Sequence, residues 1–214
     1  MAFRKSILSG ASEDRFEKLI KERLKPGADK KKIDQRIWDL FGEVWCIMFT
    51  DLSGFSRGVA KFGIIHFLQT IYESERLLIP VIDEHDGILL KVEGDSFLVI
   101  FKRTAKALRA AIKMQQILKE YNKDKSEEEK VLLCVGMGYG NVLKIGDSDV
   151  YASEVNAASK LGEDTADAWE ILVTETVKNL LEEDVEFNDK ISFELLDEAP
   201  PGANAAYRVI YSMD

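Results

Sequence analysis

Residues 89–101 read LLKVEGDSFLVIF: two apolar runs, each long enough for one buried strand, meeting at Glu93, Gly94 and Asp95. A Gly-Asp pair between two strand-like runs turns a hairpin. The stretch therefore commits the chain to an antiparallel pair near its middle. It also stations a carboxylate at the end of a sheet, with Lys91 just before it.

The flanking segments extend that sheet. VWCIMFT at 44–50 is a continuous apolar strand. A helical stretch over roughly 57–85 follows, then the hairpin strands at 88–92 and 96–101, then an amphipathic helix at 104–122 with Ala, Leu, Ile and Met on one stripe. VLLCVGMGYG at 131–140 reads as a strand ending in alternate glycines, with NVLKI pairing back on it. Helix 154–166, strand 171–174, a helix from 175 and short strands near ISFELL and AYRVIY complete the order. Strands and helices alternate but include hairpins, which predicts an α/β (α+β) sandwich: a mixed, largely antiparallel sheet with flanking helices. Residues 12–40 read as helical, broken at Pro26-Gly27, with Phe16, Leu19, Ile20 and Leu24 at helical spacing. The chain thus divides into an N-terminal helical extension, 1–42, and a body, 43–214.

Composition excludes several classes. With 46% hydrophobic and 31% charged residues, the chain is an ordinary soluble globular protein. No apolar run approaches the roughly 20 residues that span a bilayer. The N-terminus, MAFRKSILSGASEDRF, lacks the apolar core of a signal peptide. A cytoplasmic protein without a membrane span is expected. A net charge of −9 argues against a nucleic-acid partner. The one basic segment, KERLKPGADKKKIDQR at 21–36, has acidic neighbours and reads as a solvated helix face or a linker. Cys46 and Cys134 lie in apolar strand-like stretches, as reduced core thiols do. Only His66 and His85 are available to zinc, so a metal here would be held by oxygen. Gly136, Gly138 and Gly140 do not form a dinucleotide-binding fingerprint with a helix at once behind it. They let the strand pack closely or bend.

Asp51 stands where strand 44–50 stops and the loop Leu52-Ser53-Gly54-Phe55 begins. Alone it is ordinary turn or helix-entry chemistry. A sheet that pairs strand 44–50 with the 88–101 hairpin, however, brings Asp51 and Asp95 together. Two adjacent carboxylates repel unless a cation sits between them. Hard oxygen ligands suit Mg²⁺ or Mn²⁺, and Mg²⁺ commonly takes one or two carboxylates plus substrate phosphates. Backbone N–H groups of Ser53, Gly54 and Phe55 could then face those phosphates.

Three motifs in this order resemble the class III nucleotidyl cyclases: FTDLSGFS at 49–56, LKVEGDSF at 90–97 and DVYASEVNAASKL at 149–161. The resemblance covers about residues 44–180. It implies a ferredoxin-like cyclase core that turns a nucleoside triphosphate into a 3′,5′-cyclic monophosphate and pyrophosphate with two Mg²⁺ or Mn²⁺ ions per site. It also implies the roles. Asp51 and Asp95 match the metal-binding aspartates, with the carbonyl of Leu52 assisting. Lys91 and Asp149 match the pair that reads the base, and Asn156 matches the asparagine that orients the ribose. Lys160 occupies the place of a phosphate-binding arginine. The family works as a homodimer with shared sites, the two aspartates of one subunit facing Lys91, Asp149, Asn156 and Lys160 of the other.

Three departures bear on this. Lys160 is a point charge where the family has a forked guanidinium, and Lys144 is a candidate second cation. The stretch from Gly140 to Asp149 is shorter than the family's usual arm. Ala152 stands where glycine is usual, crowding the pocket beside the bulky Tyr151. No receptor, membrane or kinase-like segment accompanies the motifs. The chain therefore resembles the compact stand-alone bacterial cyclases, including those that make cyclic pyrimidine nucleotides in defence against phage. A crowded pocket favours UTP or CTP, while lysine with aspartate is also the family's adenine-type pair, which keeps ATP as the alternative. A degenerate nucleotide-binding domain without turnover is the other reading that Lys160 leaves open.

Overall fold

The computed structural model describes residues 10–54, 62–147, 149–187 and 190–213. The hairpin forms as the sequence requires. Strands β2 (Ile88–Glu93) and β3 (Ser96–Phe101) pair antiparallel around Gly94-Asp95, with Gly94 at φ +63°. Positive φ at the first turn position alone is the pattern of a type II′ turn, which glycine adopts without steric cost.

Around it lies one eight-stranded sheet. Besides β2 and β3 it contains β1 (Gly42–Leu52), β4 (Leu133–Ile145), β6 (Ile171–Thr174), β7 (Ser192–Leu195) and β8 (Ala206–Ile210), in the order β2-β3-β1-β4-β6-β8-β7, with β5 (Asp149–Tyr151) on β4. Only the β4–β6 pair is parallel among the described strands. This is the mixed, largely antiparallel sheet expected.

Period-two alternation sorts the central strands onto two cores. Cys46, Met48, Phe97, Val99 and Phe101 face one side, under α3 (Ile64–Glu84), α4 (Thr104–Tyr121) and α6 (Glu175–Glu182), where Leu78, Ile82, Leu108, Met114 and Val177 close a dry layer. Trp45, Ile47, Leu98 and Ile100 face the other side, under Val155 and Ala158 of the short helix α5 (Ser153–Ser159). Phe49 and Asp51 continue the second series, so the same alternation that builds the smaller core delivers Asp51 to its open end.

Strand β4 corrects one expectation. It does not end at Gly140 and pair with NVLKI; it runs unbroken to Ile145, and its ladder with β1 extends from Leu133 to Leu143. The alternate glycines share a face and admit α5. A Cβ at Gly136 would lie 2.2 Å from the Ala158 carbonyl oxygen, and one at Gly138 2.5 Å from that of Glu154. They are the close-packing glycines of the alternative reading.

The N-terminal region forms α1 (Ala11–Arg23) and α2 (Lys30–Phe41), separated at Pro26-Gly27, with Gly27 at φ +76° and the Asp29 side chain capping α2 on Lys32 N–H at 3.1 Å. Leu19, Ile33, Ile37 and Phe41 close a small core against Ile145 of β4. The basic segment is not merely solvated: Arg23 pairs with Asp34 at 2.6 Å and Arg36 with Glu22 at 2.7 Å, tying the helices together.

Candidate active site

Two polar groups occupy the α5 face of the sheet. In the first, the register places Thr50 opposite Phe97, which carries Asp51, still within β1, next to Ser96 and the turn residue Asp95. The Ser96 hydroxyl lies 3.3 Å from Asp51 Oδ1. Burial pushes the Asp51 carboxyl up to about 7 from an ordinary 3.8, with the neighbouring Asp95 charge adding to it and bonds from Ser96 and the Leu52 N–H opposing it. Asp95 is raised for the same leading reason, burial. Its Oδ2 is buried and has no hydrogen-bond partner. A shielded, unpartnered carboxylate oxygen beside a second destabilised carboxylate is the environment a hard divalent cation neutralises. The residues present fit such an ion.

In the second group, Lys91 on β2 pairs with Asp149 on β5 at 3.3 Å and with Glu93 at 3.0 Å. Those two carboxylates hold its ammonium above the ordinary lysine range. Asp149 also accepts its neighbour's Val150 N–H at 3.0 Å and the Tyr151 hydroxyl at 3.4 Å, which fixes its orientation. The lysine–aspartate pair expected from the motifs is thus formed within one chain. Beside this pair lies a cavity of about 200 Å³, lined by Lys91, Glu93, Ser96, Asp149, Ser159 and Glu163 over an apolar floor of Phe49 and Leu98; Asp51 and Asp95 do not line it.

Other predicted residues fall elsewhere. Asn156 and Lys160 stand one turn apart on the exposed side of α5 and the turn after it, outside this cavity, with Lys160 paired to Asp164 at 2.7 Å. The Ser53 amide is committed to the Leu132 carbonyl at 2.8 Å, so it does not offer the phosphate contact expected of it. Gly54, at φ +88°, has open space beside it. Phe55 lies outside the described residues. Lys144 is not a spare cation: its ammonium binds the Gly146 carbonyl at 2.6 Å and Asp147 at 2.8 Å within its own turn. Ser96, Glu93 and Glu163 were missed by sequence reasoning. For Glu93 the signal was available, because it is two residues from Lys91 and so on the same strand face.

The raised Asp51 value has a measurable consequence. A carboxyl whose folded value lies above its unfolded one stabilises the fold in acid, and that contribution is lost as pH rises from about 4 to about 7. In EDTA, Asp51→Asn should therefore melt above the wild type at pH 8, with the difference closing by pH 4–5. Asp51 keeps part of its surface exposed, so screening leaves about 1 kcal/mol, or some 2–4 °C for a chain of this size. Equal melting temperatures at pH 8 would show that the pair carries no such repulsion.

A family model for the adenylate and guanylate cyclase catalytic domain matches residues 40–206. A serine/threonine-protein kinase of Myxococcus xanthus is 28% identical over 131 residues, which cover 61% of this chain and 16% of that protein. A putative adenylate cyclase of Rhizobium meliloti is 26% identical over 145 residues, covering 67% of this chain and 24% of that protein. The chain thus spans about a quarter or less of the length of these curated relatives. The crystal structure of an adenylate/guanylate cyclase/hydrolase from Silicibacter pomeroyi superposes with a TM-score of 0.67 at 21% identity, over 80% of this chain and 98% of that one. At that identity the likeness is one of fold.

Proposed function

The chain belongs to the family of adenylate and guanylate cyclase catalytic domains, and from that premise we propose that it converts a nucleoside triphosphate into a 3′,5′-cyclic monophosphate and pyrophosphate. The observation that carries the proposal is the presence, on one sheet face, of a cation-ready Asp51–Asp95 corner and of the Lys91–Asp149 pair.

Two divalent cations, Mg²⁺ or Mn²⁺, held by Asp51, Asp95 and the Leu52 carbonyl, would supply activation of the ribose 3′-hydroxyl and neutralisation of the triphosphate. Lys91 donates to the base edge and Asp149 accepts from it. Asn156 orients the ribose, and Lys160, released from Asp164, meets a phosphate; Gly54 lines the phosphate approach. The exposure of Asn156 and Lys160, outside the cavity that their own chain forms, supports a homodimer in which these two residues and the Lys91–Asp149 pair serve the aspartates of the other subunit. In this reading residues 43–214 are the catalytic unit and 1–42 an N-terminal extension.

For the base we propose a pyrimidine, UTP foremost, and a second-messenger role in antiphage defence. The support is spatial: the cavity of about 200 Å³ is below the ~300 Å³ at which ordinary ligand pockets begin. Ala152 packs against the Trp45–Ile47 core, and Tyr151 stands at Asp149. ATP is the alternative, since adenine offers the same amino donor and ring acceptor as cytosine to the pair. Incubation with each of the four nucleoside triphosphates and Mn²⁺, followed by chromatography, is expected to give more cyclic UMP or cyclic CMP than cyclic AMP. Cyclic AMP alone would remove the pyrimidine reading, and no cyclic product from any of the four would remove catalysis.

A further inference from the structure

Ser96 sits between two carboxylates and can satisfy only one. Its hydroxyl carries one proton and two lone pairs. Glu163 Oε1 lies 2.9 Å away and Asp51 Oδ1 3.3 Å away. Only the first distance is within the ordinary range for an O–H···O bond. Glu163, at the shorter distance, is the better acceptor of the single proton, and when Ser96 donates there a lone pair is turned toward Asp51. Two acceptor oxygens facing each other repel unless a cation joins them, and the same corner holds the buried, unpartnered Oδ2 of Asp95.

Backbone contact fixes Glu163 in this position. Helix α5 passes into a π turn, Lys160–Thr165, where the Ala166 N–H reaches back five residues to the Leu161 carbonyl at 2.8 Å. The widened turn sits directly on the sheet: a Cβ at Gly162 would lie 2.7 Å from the Phe49 carbonyl oxygen and 2.9 Å from the Gly136 nitrogen. Glu163 is thereby lowered onto Ser96, and its second oxygen accepts from Ser159, while Asp164 points outward to Lys160. Turns of this kind recur at functional sites. Both Glu163 oxygens accept from serine hydroxyls, Ser96 and Ser159, so Glu163 reaches the Asp51–Asp95 corner through Ser96.

Building on the proposed Asp51–Asp95 cation site, we propose that the Ser96 hydroxyl oxygen is a further ligand of that cation and that Glu163 is the positioning residue that turns it there. The arrangement follows a general pattern, in which a ligating group hands its proton to a fixed carboxylate behind it.

The test is Mn²⁺ binding to the full chain without nucleotide, followed by electron paramagnetic resonance of free Mn²⁺, with Cd²⁺ binding measured in parallel. Ser96→Ala and Glu163→Gln should each weaken Mn²⁺ about 10–100-fold, while Ser96→Thr, which keeps the hydroxyl, stays within a few-fold of wild type. Ser96→Cys should lose Mn²⁺ but gain Cd²⁺, with an ultraviolet sulfur-to-cadmium charge-transfer band above the wild-type background from Cys46 and Cys134. A role confined to packing would not create that band. Wild-type Mn²⁺ affinity in Ser96→Ala, or Cd²⁺ bound to Ser96→Cys without thiolate absorption, would overturn the proposal while leaving the Asp51–Asp95 site standing. Mn²⁺ binding by wild type that Asp51→Ala does not weaken, or no Mn²⁺ binding by wild type at all, would remove the underlying site and this ligand with it.

Discussion

Asp51→Ala and Asp95→Ala are each expected to lower cyclic nucleotide formation by about 10³-fold or more, because a lost cation ligand removes several kcal/mol of charge stabilisation and each 1.36 kcal/mol is a factor of ten. The fold should survive both changes. Asp51 is near the end of β1 and Asp95 is in the turn between β2 and β3; neither side chain fills a core, and the apolar layers above and below the sheet are built by other residues. Stability should in fact move the other way. Both carboxyls are destabilised by burial without a cation, so removing one relieves the apo protein. A change that destroys activity while raising the apo melting temperature identifies a site whose strain serves function. Loss of activity together with loss of cooperative melting would instead assign these residues to the fold. Near-normal cyclisation by either variant would refute the cation assignment.

What the sequence disclosed was what depends on short-range pattern. The Gly94-Asp95 turn is a local signal, and the alternation of Trp45, Ile47 and Phe49 against Cys46 and Met48 fixes which face Asp51 takes, so the meeting of the two aspartates followed from pairing two strands. Where a role depends on a neighbour distant in sequence, the signal fails. Gly140 looks like a strand end because its usual meanings are turn and bend; its use here, making room for Glu154, exists only once α5 is in place. Lys144 looks like a free cation until the tight turn at Gly146 and Asp147 claims it. Glu163 is the clearest case. Read as a regular helix, 154–166 puts Glu163 three residues after Lys160 and seven after Asn156, on their solvent-facing side. The π turn adds a residue to that count and brings the Glu163 carboxylate against Ser96, although Glu163 stays exposed. Periodicity has no means of anticipating the extra residue, because Gly162 packing on Phe49 decides it.

Mixing two inactive variants should restore activity. If the site is shared across a homodimer, Asp51→Ala breaks the cation half contributed by one subunit and Asn156→Ala breaks the ribose half contributed by the other. In a two-fold dimer the same patch meets its copy, so a heterodimer of the two variants holds one site with both lesions and one with neither. Random reassortment of equal amounts makes half of the dimers hetero, which returns about a quarter of wild-type sites, against a background near zero for either variant alone. The geometry supports this assignment in two ways. The described cavity contains the Lys91–Asp149 pair, is lined by neither Asp51 nor Asp95 of the same chain, and leaves Asn156 and Lys160 facing outward. Lys160 is occupied by Asp164 in an exposed pair worth at most about 1 kcal/mol, which an arriving triphosphate can displace. If both halves belonged to one chain, every subunit in the mixture would carry a lesion in its only site and no activity would return. The deciding measurement is therefore cyclic product formed by a mixture whose heterodimer content is verified by differential tags. About a quarter of wild-type turnover supports shared sites, and none, in a confirmed heterodimer, assigns each site to a single chain.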